Sequence, residues 1–154
     1  MMTVSQWYQG KEGAAEHLVY LSKEGKELEK LLNNKKTMII RGAAGRKVPL
    51  GGRAKVGDRV YFVETGGSLL VQYRGIISKV IETEKLTVDE SLAFVDTYQP
   101  ELNLSTEQIK RWAGKKFLAV YQISGLEEIP AFRYRRDKNM DDWVITKVIE
   151  EIKE

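Results

Sequence analysis

The order of strand and turn signals is the feature that most constrains how this chain can fold. Short apolar segments alternate with glycine-containing turns and give the order β-α-β-loop-β-β-α-α-β-β. A doubly wound parallel sheet requires regular alternation of strands and helices, so this order disfavours it. We therefore predict an α+β fold, a small mixed β-barrel of five to seven strands with helices over its openings.

The stretch from residue 33 to residue 63 carries the strongest functional signal. A predicted strand at 36–41 is followed by a long glycine-rich loop at 42–57, and a Gly57-Asp58 turn leads into the next strand. Residues 33–60 contain eight basic side chains and one acid. Loops of this length in compact domains are often functional. The pattern indicates a polyanion or nucleotide held against the barrel, although a solvated basic loop has the same composition.

An acidic segment balances this basic one. Residues 82–107 contain seven acids and one lysine, while the net charge of the whole chain is only +3. Two opposite segments on one small domain can focus an anion onto one face. They can equally compensate each other internally, and the sequence leaves both interpretations open.

Capping signals predict two consecutive helices in the second half of the chain. Thr87 with Glu90 and Ser105 with Gln108 each form a capping box, and Pro100 is expected between the helices. Ser22 is expected to cap an earlier, shorter helix.

The remaining strands are predicted from apolar runs. The run at 69–81 is long, and Gly75 is its natural bulge point. Strands at 116–123 and 143–149 complete the set, with 127–142 expected to be a charged connection. Residues 1–16 are polar and are expected to form a flexible N-terminal arm, which leaves 17–154 as one domain.

Composition excludes several functional classes. The chain contains no cysteine and one histidine, which removes disulfides, thiolate catalysis and cysteine-rich zinc sites. We predict no metal site and no cofactor, and we interpret His17 as a residue at the core edge. No apolar run is long enough to cross a membrane, and no apolar signal sequence is visible at the N-terminus. The expected location is therefore the cytoplasm.

Two strings carry a resemblance to a known family. Leu31-Leu-Asn-Asn-Lys-Lys-Thr-Met-Ile-Ile-Arg41, followed by Val56-Gly-Asp-Arg-Val-Tyr61, resembles the signature of ASCH domains in the PUA-like superfamily. In that signature a helix runs into a Gly-x-Lys-Thr turn, a strand that ends in arginine, and a later Gly-Asp. Asn34 stands where the turn usually has glycine. The resemblance implies a PUA-like barrel over roughly residues 17–126.

Within that superfamily the chain is most similar to small N4-acetylcytidine amidohydrolases. The catalytic lysine and glutamate of those enzymes fall on Lys36 and Glu101. Their catalytic threonine falls on Ile39, which carries no nucleophile, and the nearby Thr37 aligns with a different, non-catalytic threonine. The resemblance thus implies a nucleoside-sized pocket more strongly than it implies hydrolysis.

Three functional hypotheses follow. The first is a module that binds RNA or a modified nucleoside in a basic cleft, with no membrane and no metal partner. The second is an amidohydrolase that removes an acyl group from an N4-acetylcytidine-like nucleoside, with Lys36 and Glu101 as catalytic groups. The third is a protein-interaction barrel. The predicted ligand-binding residues are Lys36, Arg41, Arg46, Lys47, Arg53 and Trp143. For each of these residues, the alternative to a ligand-binding role is a position in solvent or in the core.

Overall fold

The computed structural model describes residues 15–43, 49–136 and 142–153. The strands and helices are β1 (Glu16–Leu21), α1 (Glu27–Leu32), β2 (Met38–Ala43), β3 (Arg59–Glu64), β4 (Leu70–Glu82), α2 (Val88–Leu102), α3 (Thr106–Trp112), β5 (Phe117–Arg133) and β6 (Trp143–Thr146). Two 3₁₀ turns, Pro49–Gly52 and Ile149–Ile152, complete the described elements.

The six strands form one curled sheet. Its order is β2-β5-β4-β3-β1-β6, with β1 and β3 parallel and the other neighbours antiparallel. Ile39 of one edge strand and Trp143 of the other edge strand belong to the same buried cluster. The ring centroids of Tyr121 and Trp143 are 5.0 Å apart. The sheet therefore bends into a half-barrel, which confirms the predicted α+β barrel-like fold with five to seven strands.

The helices pack on two sides of this half-barrel. Leu31 of α1 packs into the interior cluster, so α1 covers one end of the barrel. Met38 and Ile40 point to the opposite face of β2, because side chains of a strand alternate between faces. They pack there with Val95 of α2 and Trp112 of α3. Within the described residues, no helix is long and apolar enough to cross a membrane.

Both predicted capping boxes are present. The Thr87 hydroxyl accepts from the Glu90 N–H at the start of α2, and the Ser105 hydroxyl accepts from the Gln108 N–H at the start of α3. The expected position of Pro100 was wrong, because it lies inside α2 rather than between the helices. Pro100 has no N–H to donate to the carbonyl of Asp96, so the helix loses one hydrogen bond there, yet α2 continues to Leu102.

The predicted limits of β5 and β6 were also wrong. β5 continues to Arg133 instead of ending at residue 123, and β6 ends at Thr146. β5 pairs with β4 along its length through three register shifts, one of them at Gly75 as predicted. A Cβ atom at Gly75 would lie 2.7 Å from the Ile123 side chain, so only glycine permits this close approach. The pairing with β4 makes residues 127–133 a strand despite their charged composition.

The beginning of the chain differs from expectation in two respects. Residues 1–14 of the expected arm lie outside the described residues, whereas Glu16 is buried in β1. Ser22 does not cap α1, which begins at Glu27 after Lys26 in a left-handed conformation (φ 55°). The Ser22 hydroxyl instead accepts from the Gly25 N–H and closes the turn between β1 and α1.

Hydrogen bonds join three side chains, Trp143, His17 and Asp58, in the barrel interior. The imidazole is fully buried; the Trp143 indole N–H donates to its Nδ1 over 2.9 Å, and its Nε2 lies 2.8 Å from the Asp58 carboxylate. An indole N–H can only donate, so Nε2 carries the proton and donates to Asp58. Burial lowers the pKa of His17, although Asp58 raises it, and the charge of Arg53 lowers it further. His17 therefore joins β1, β6 and the turn before β3.

This arrangement predicts a loss of stability in mild acid. Below about pH 6.5 the unfolded chain takes up a proton that folded His17 resists, so the free energy of unfolding falls as pH falls. One such group contributes at most about 1.4 kcal/mol per pH unit. Urea unfolding at several pH values should show a steeper decline for the wild type than for His17→Gln, which cannot titrate. Equal declines would contradict the assignment.

Candidate functional site

A cleft of about 470 Å³ opens beside the barrel, between the β1–α1 turn and α3. The lining residues are Tyr20, Ser22, Glu24, Gly25, Glu27, Arg41, Thr65, Ser105, Glu107, Gln108, Arg111, Trp112 and Asp142. A Cβ atom at Gly25 would lie 3.1 Å from the Gln108 side chain, so glycine lets the turn approach α3 closely. This volume lies within the range of small-molecule sites.

Arg41 forms the inner wall of the cleft. It lies on β2, is 7% exposed, and donates to the carbonyls of Ile40 (2.8 Å) and Tyr20 (2.9 Å). Its guanidinium group lies 5.7 Å from the ring of Trp112 and 5.4 Å from that of Trp143. Burial lowers the pKa of Arg41, whereas Asp142 raises it. Arginine remains charged in proteins, so the cleft has a fixed cation in its wall.

A second arginine extends this stack to the surface. The Arg111 guanidinium lies 4.5 Å from the Trp112 ring, and its side chain is 61% exposed. The Asp142 carboxylate lies 3.1 Å from Arg111 and 3.5 Å from the Arg41 Nε. Within the described residues, that Nε has no hydrogen-bond partner. Flat guanidinium and indole groups therefore line the cleft, with one carboxylate bridging the two arginines.

Lys36 lies behind the cleft rather than on its rim. It precedes β2, is 1% exposed, and donates from its ammonium group to the Leu102 carbonyl. The ammonium lies 3.4 Å from the Glu27 carboxylate, whose other oxygen accepts from the Ser22 N–H over 2.7 Å. Burial lowers the pKa of Lys36 to about 8, although Glu27 raises it. The cleft thus contacts Lys36 only indirectly, through Glu27.

Glu101 occupies the last turn of α2, so it does not precede a helix as its sequence position suggested. Its backbone carbonyl accepts from the Thr37 N–H over 2.8 Å, which fixes the end of α2 beside the chain that enters β2. Its Oε2 atom is buried and has no hydrogen-bond partner within the described residues. Glu101 does not line the cleft, and the carboxylate that pairs with Lys36 is Glu27.

The other predicted site residues are dispersed. Arg46 and Lys47 lie outside the described residues. Arg53 is exposed and donates to the Leu50 carbonyl. Trp143 is buried against Arg41 and His17 but is not part of the cleft wall. Of the predicted set that the structure describes, Arg41 alone lines the cleft.

Among the cleft residues that the sequence interpretation missed are Glu27, Arg111 and Asp142. Arg111 directly precedes Trp112, which was a usable signal because guanidinium groups stack on indole rings. Glu27 gave no such signal, since its partner Lys36 becomes a neighbour only when α1 folds against β2. No group of three potential metal ligands occurs in the part of the chain that the structure describes.

The contacts of Arg41 predict a large difference between the two arginines of the stack. Arg41→Met removes two hydrogen bonds to carbonyls and leaves buried acceptors unpaired, so we expect unfolding to be easier by about 3 kcal/mol. Arg111→Met is the matched control, because an exposed ion pair contributes less than about 1 kcal/mol. Denaturant unfolding of both variants measures the difference. Similar losses would show that Arg41 has no special structural role.

Comparisons with known proteins agree with this architecture. No family model matches the sequence, and neither does any curated protein. Three crystal structures of the ASCH protein from Zymomonas mobilis are similar to it. A tyrosine-to-phenylalanine variant has a TM-score of 0.61 at 14% identity, covering 88% of this chain and 93% of that one. The unsubstituted protein has a TM-score of 0.58 at 14% sequence identity, and the match covers 84% of this chain and 85% of that one. A serine-to-alanine variant has a TM-score of 0.56 at 15% sequence identity, and the match covers 77% of this chain and 73% of that one. The chain therefore has the fold of an ASCH domain, as its sequence resemblance predicted.

Proposed function

We propose that this protein binds a nucleoside unit, either free and modified or within RNA, with its base in the cleft beside α3. The observation that supports this most is the stack of Arg111 on Trp112, with Arg41 also lying close to the Trp112 ring. Proteins hold unstacked bases on aromatic rings and on arginine planes. Arg111 is the exposed outer member of this stack, so a base can lie on its guanidinium plane.

The size and polarity of the cleft support the same proposal. A cavity of about 470 Å³ accommodates a nucleoside-sized ligand. Arg41 in the cleft wall carries N–H donors of the kind that a base carbonyl or ring nitrogen accepts, although its buried Nε already lies 3.5 Å from the Asp142 carboxylate. If the nucleoside belongs to RNA, its flanking phosphates would contact basic side chains outside the cleft, for which Arg46, Lys47 and Arg53 remain the candidates from the sequence.

Replacing Arg111 tests the proposal with little risk to folding. Arg111→Ala should weaken nucleoside binding about fivefold, because the exposed stacking plane is worth about 1 kcal/mol. Lys110→Ala is the matched control, since Lys110 is an exposed cation on the same helix that does not line the cleft. Isothermal titration calorimetry with nucleosides and short RNA measures both variants. Equal weakening by both would place the ligand elsewhere.

A second candidate is acyl hydrolysis of an N4-acetylcytidine-like nucleoside. Its support is Lys36, a buried amine whose pKa burial lowers to about 8, a value suited to proton transfer near neutral pH. Against it, Lys36 does not line the cleft, and Ile39 is fully buried in the interior cluster at the position of the related enzymes' threonine. Hydrolysis would then require water as the nucleophile.

We therefore expect N4-acetylcytidine hydrolysis to be absent, or much slower than in the related amidohydrolases. Incubation of the purified protein with N4-acetylcytidine, followed by chromatography of the released cytidine, measures it. Lys36→Met is the informative variant, because it approximately keeps the length of the side chain and removes the amine. Rapid turnover by the wild type that this variant abolishes would replace the binding proposal with the enzymatic one.

A further inference from the structure

The charges that line the cleft are unusual for a site that would hold a nucleotide. Among the described residues that line it, two guanidinium groups face four carboxylates, those of Glu24, Glu27, Glu107 and Asp142. Glu27 already pairs with Lys36 behind the wall. In the part of the chain that the structure describes, the cleft-lining residues thus carry more negative than positive charge.

Both cleft arginines are also already occupied by one acid. The Asp142 carboxylate lies 3.1 Å from the Arg111 guanidinium and 3.5 Å from the Arg41 Nε. An arginine at the mouth of a cleft is a typical partner for a phosphate, because its planar fork matches two phosphate oxygens. Here a carboxylate of this chain lies where a phosphate oxygen would have to bind.

We propose that Asp142 is a specificity residue that excludes a phosphate group from the cleft, so that the site accepts an uncharged nucleoside in preference to its 5′-monophosphate. This inference rests on the proposed nucleoside binding and deepens it. A phosphate entering the cleft would have to displace Asp142 from both arginines and then lie beside the displaced carboxylate. Like charges held together in an interface are costly, so the monophosphate is rejected.

The exposure of Asp142 fits this role. Its side chain is 41% exposed, whereas that of Arg41 is 8% exposed. Asp142 is therefore near enough to solvent to meet an incoming ligand, while the buried Arg41 holds it in position. Glu107 adds a second negative charge from the first turn of α3, and its side chain is exposed in the same cleft.

The test compares nucleosides with their monophosphates in charge-removing variants. Cytidine, uridine, adenosine and guanosine, and the 5′-monophosphate of each, are titrated calorimetrically into the wild type and Asp142→Asn. The wild type should bind a nucleoside more tightly than its monophosphate. Asp142→Asn keeps the shape of the side chain and removes its charge, so the ratio of monophosphate to nucleoside affinity should rise about tenfold.

Two further variants control for charge and for folding. Asp96→Asn removes the same charge from an exposed position on α2 that does not line the cleft, and it should leave the ratio unchanged. Glu107→Gln should raise the ratio in the same direction by a smaller factor. It also serves as the test if Asp142→Asn fails to fold, since Glu107 is exposed.

The outcomes separate this inference from the proposed function. If nucleosides bind but neither cleft variant changes the ratio of monophosphate to nucleoside affinity, the proposed role of Asp142 is rejected. The proposal of nucleoside binding then still stands. A wild type that prefers the monophosphate rejects the role of Asp142 as well. Absence of binding by any of these nucleosides and monophosphates in every variant, and by N4-acetylcytidine and short RNA as well, rejects the proposed function and this inference together.

Discussion

The guanidinium group of Arg41 connects the elements that would otherwise leave the half-barrel open. It extends from the edge strand β2 to the Tyr20 carbonyl on β1, and it lies between the rings of Trp112 and Trp143. Burying a cation costs several kcal/mol unless other groups replace its water. Two carbonyls, two indole faces and Asp142 do so here. Because these groups come from different elements, Arg41 links β1, β2, β6 and α3 at one point.

The cleft is a consequence of that arrangement. It lies where α3 and the β1–α1 turn pack on either side of Arg41. Two of the basic groups that the sequence assigned to a ligand are used internally: Lys36 pairs with Glu27, and Arg41 lies beside Asp142. Neither acid belongs to the acidic segment at 82–107. These basic charges are therefore compensated within the protein, but by acids outside the acidic segment. The cleft is characterised by planar side chains rather than by net positive charge.

Local signals predicted the fold well. The capping boxes begun by Thr87 and Ser105 and the bulge at Gly75 depend on residues close in sequence, and all three are present. The errors concern elements whose limits depend on a partner. β5 reaches Arg133 because β4 supplies hydrogen bonds along that length, and no periodicity in the charged stretch reveals this. α2 passes through Pro100 and ends only at Leu102, although the proline removes one hydrogen bond of the helix.

Local patterns and tertiary contacts also contribute differently to the candidate site. The sequence by itself determined the order of the strands and turns and the starts of α2 and α3, since each depends on a local pattern. Only the tertiary structure decided that Glu27 rather than Glu101 pairs with Lys36, and that Asp142 lies against both Arg41 and Arg111. Those pairs are formed by residues from different elements. Which charges meet depends on how α1, α3 and the start of β6 pack around β2, and that packing is set by burial of apolar surface over the whole domain.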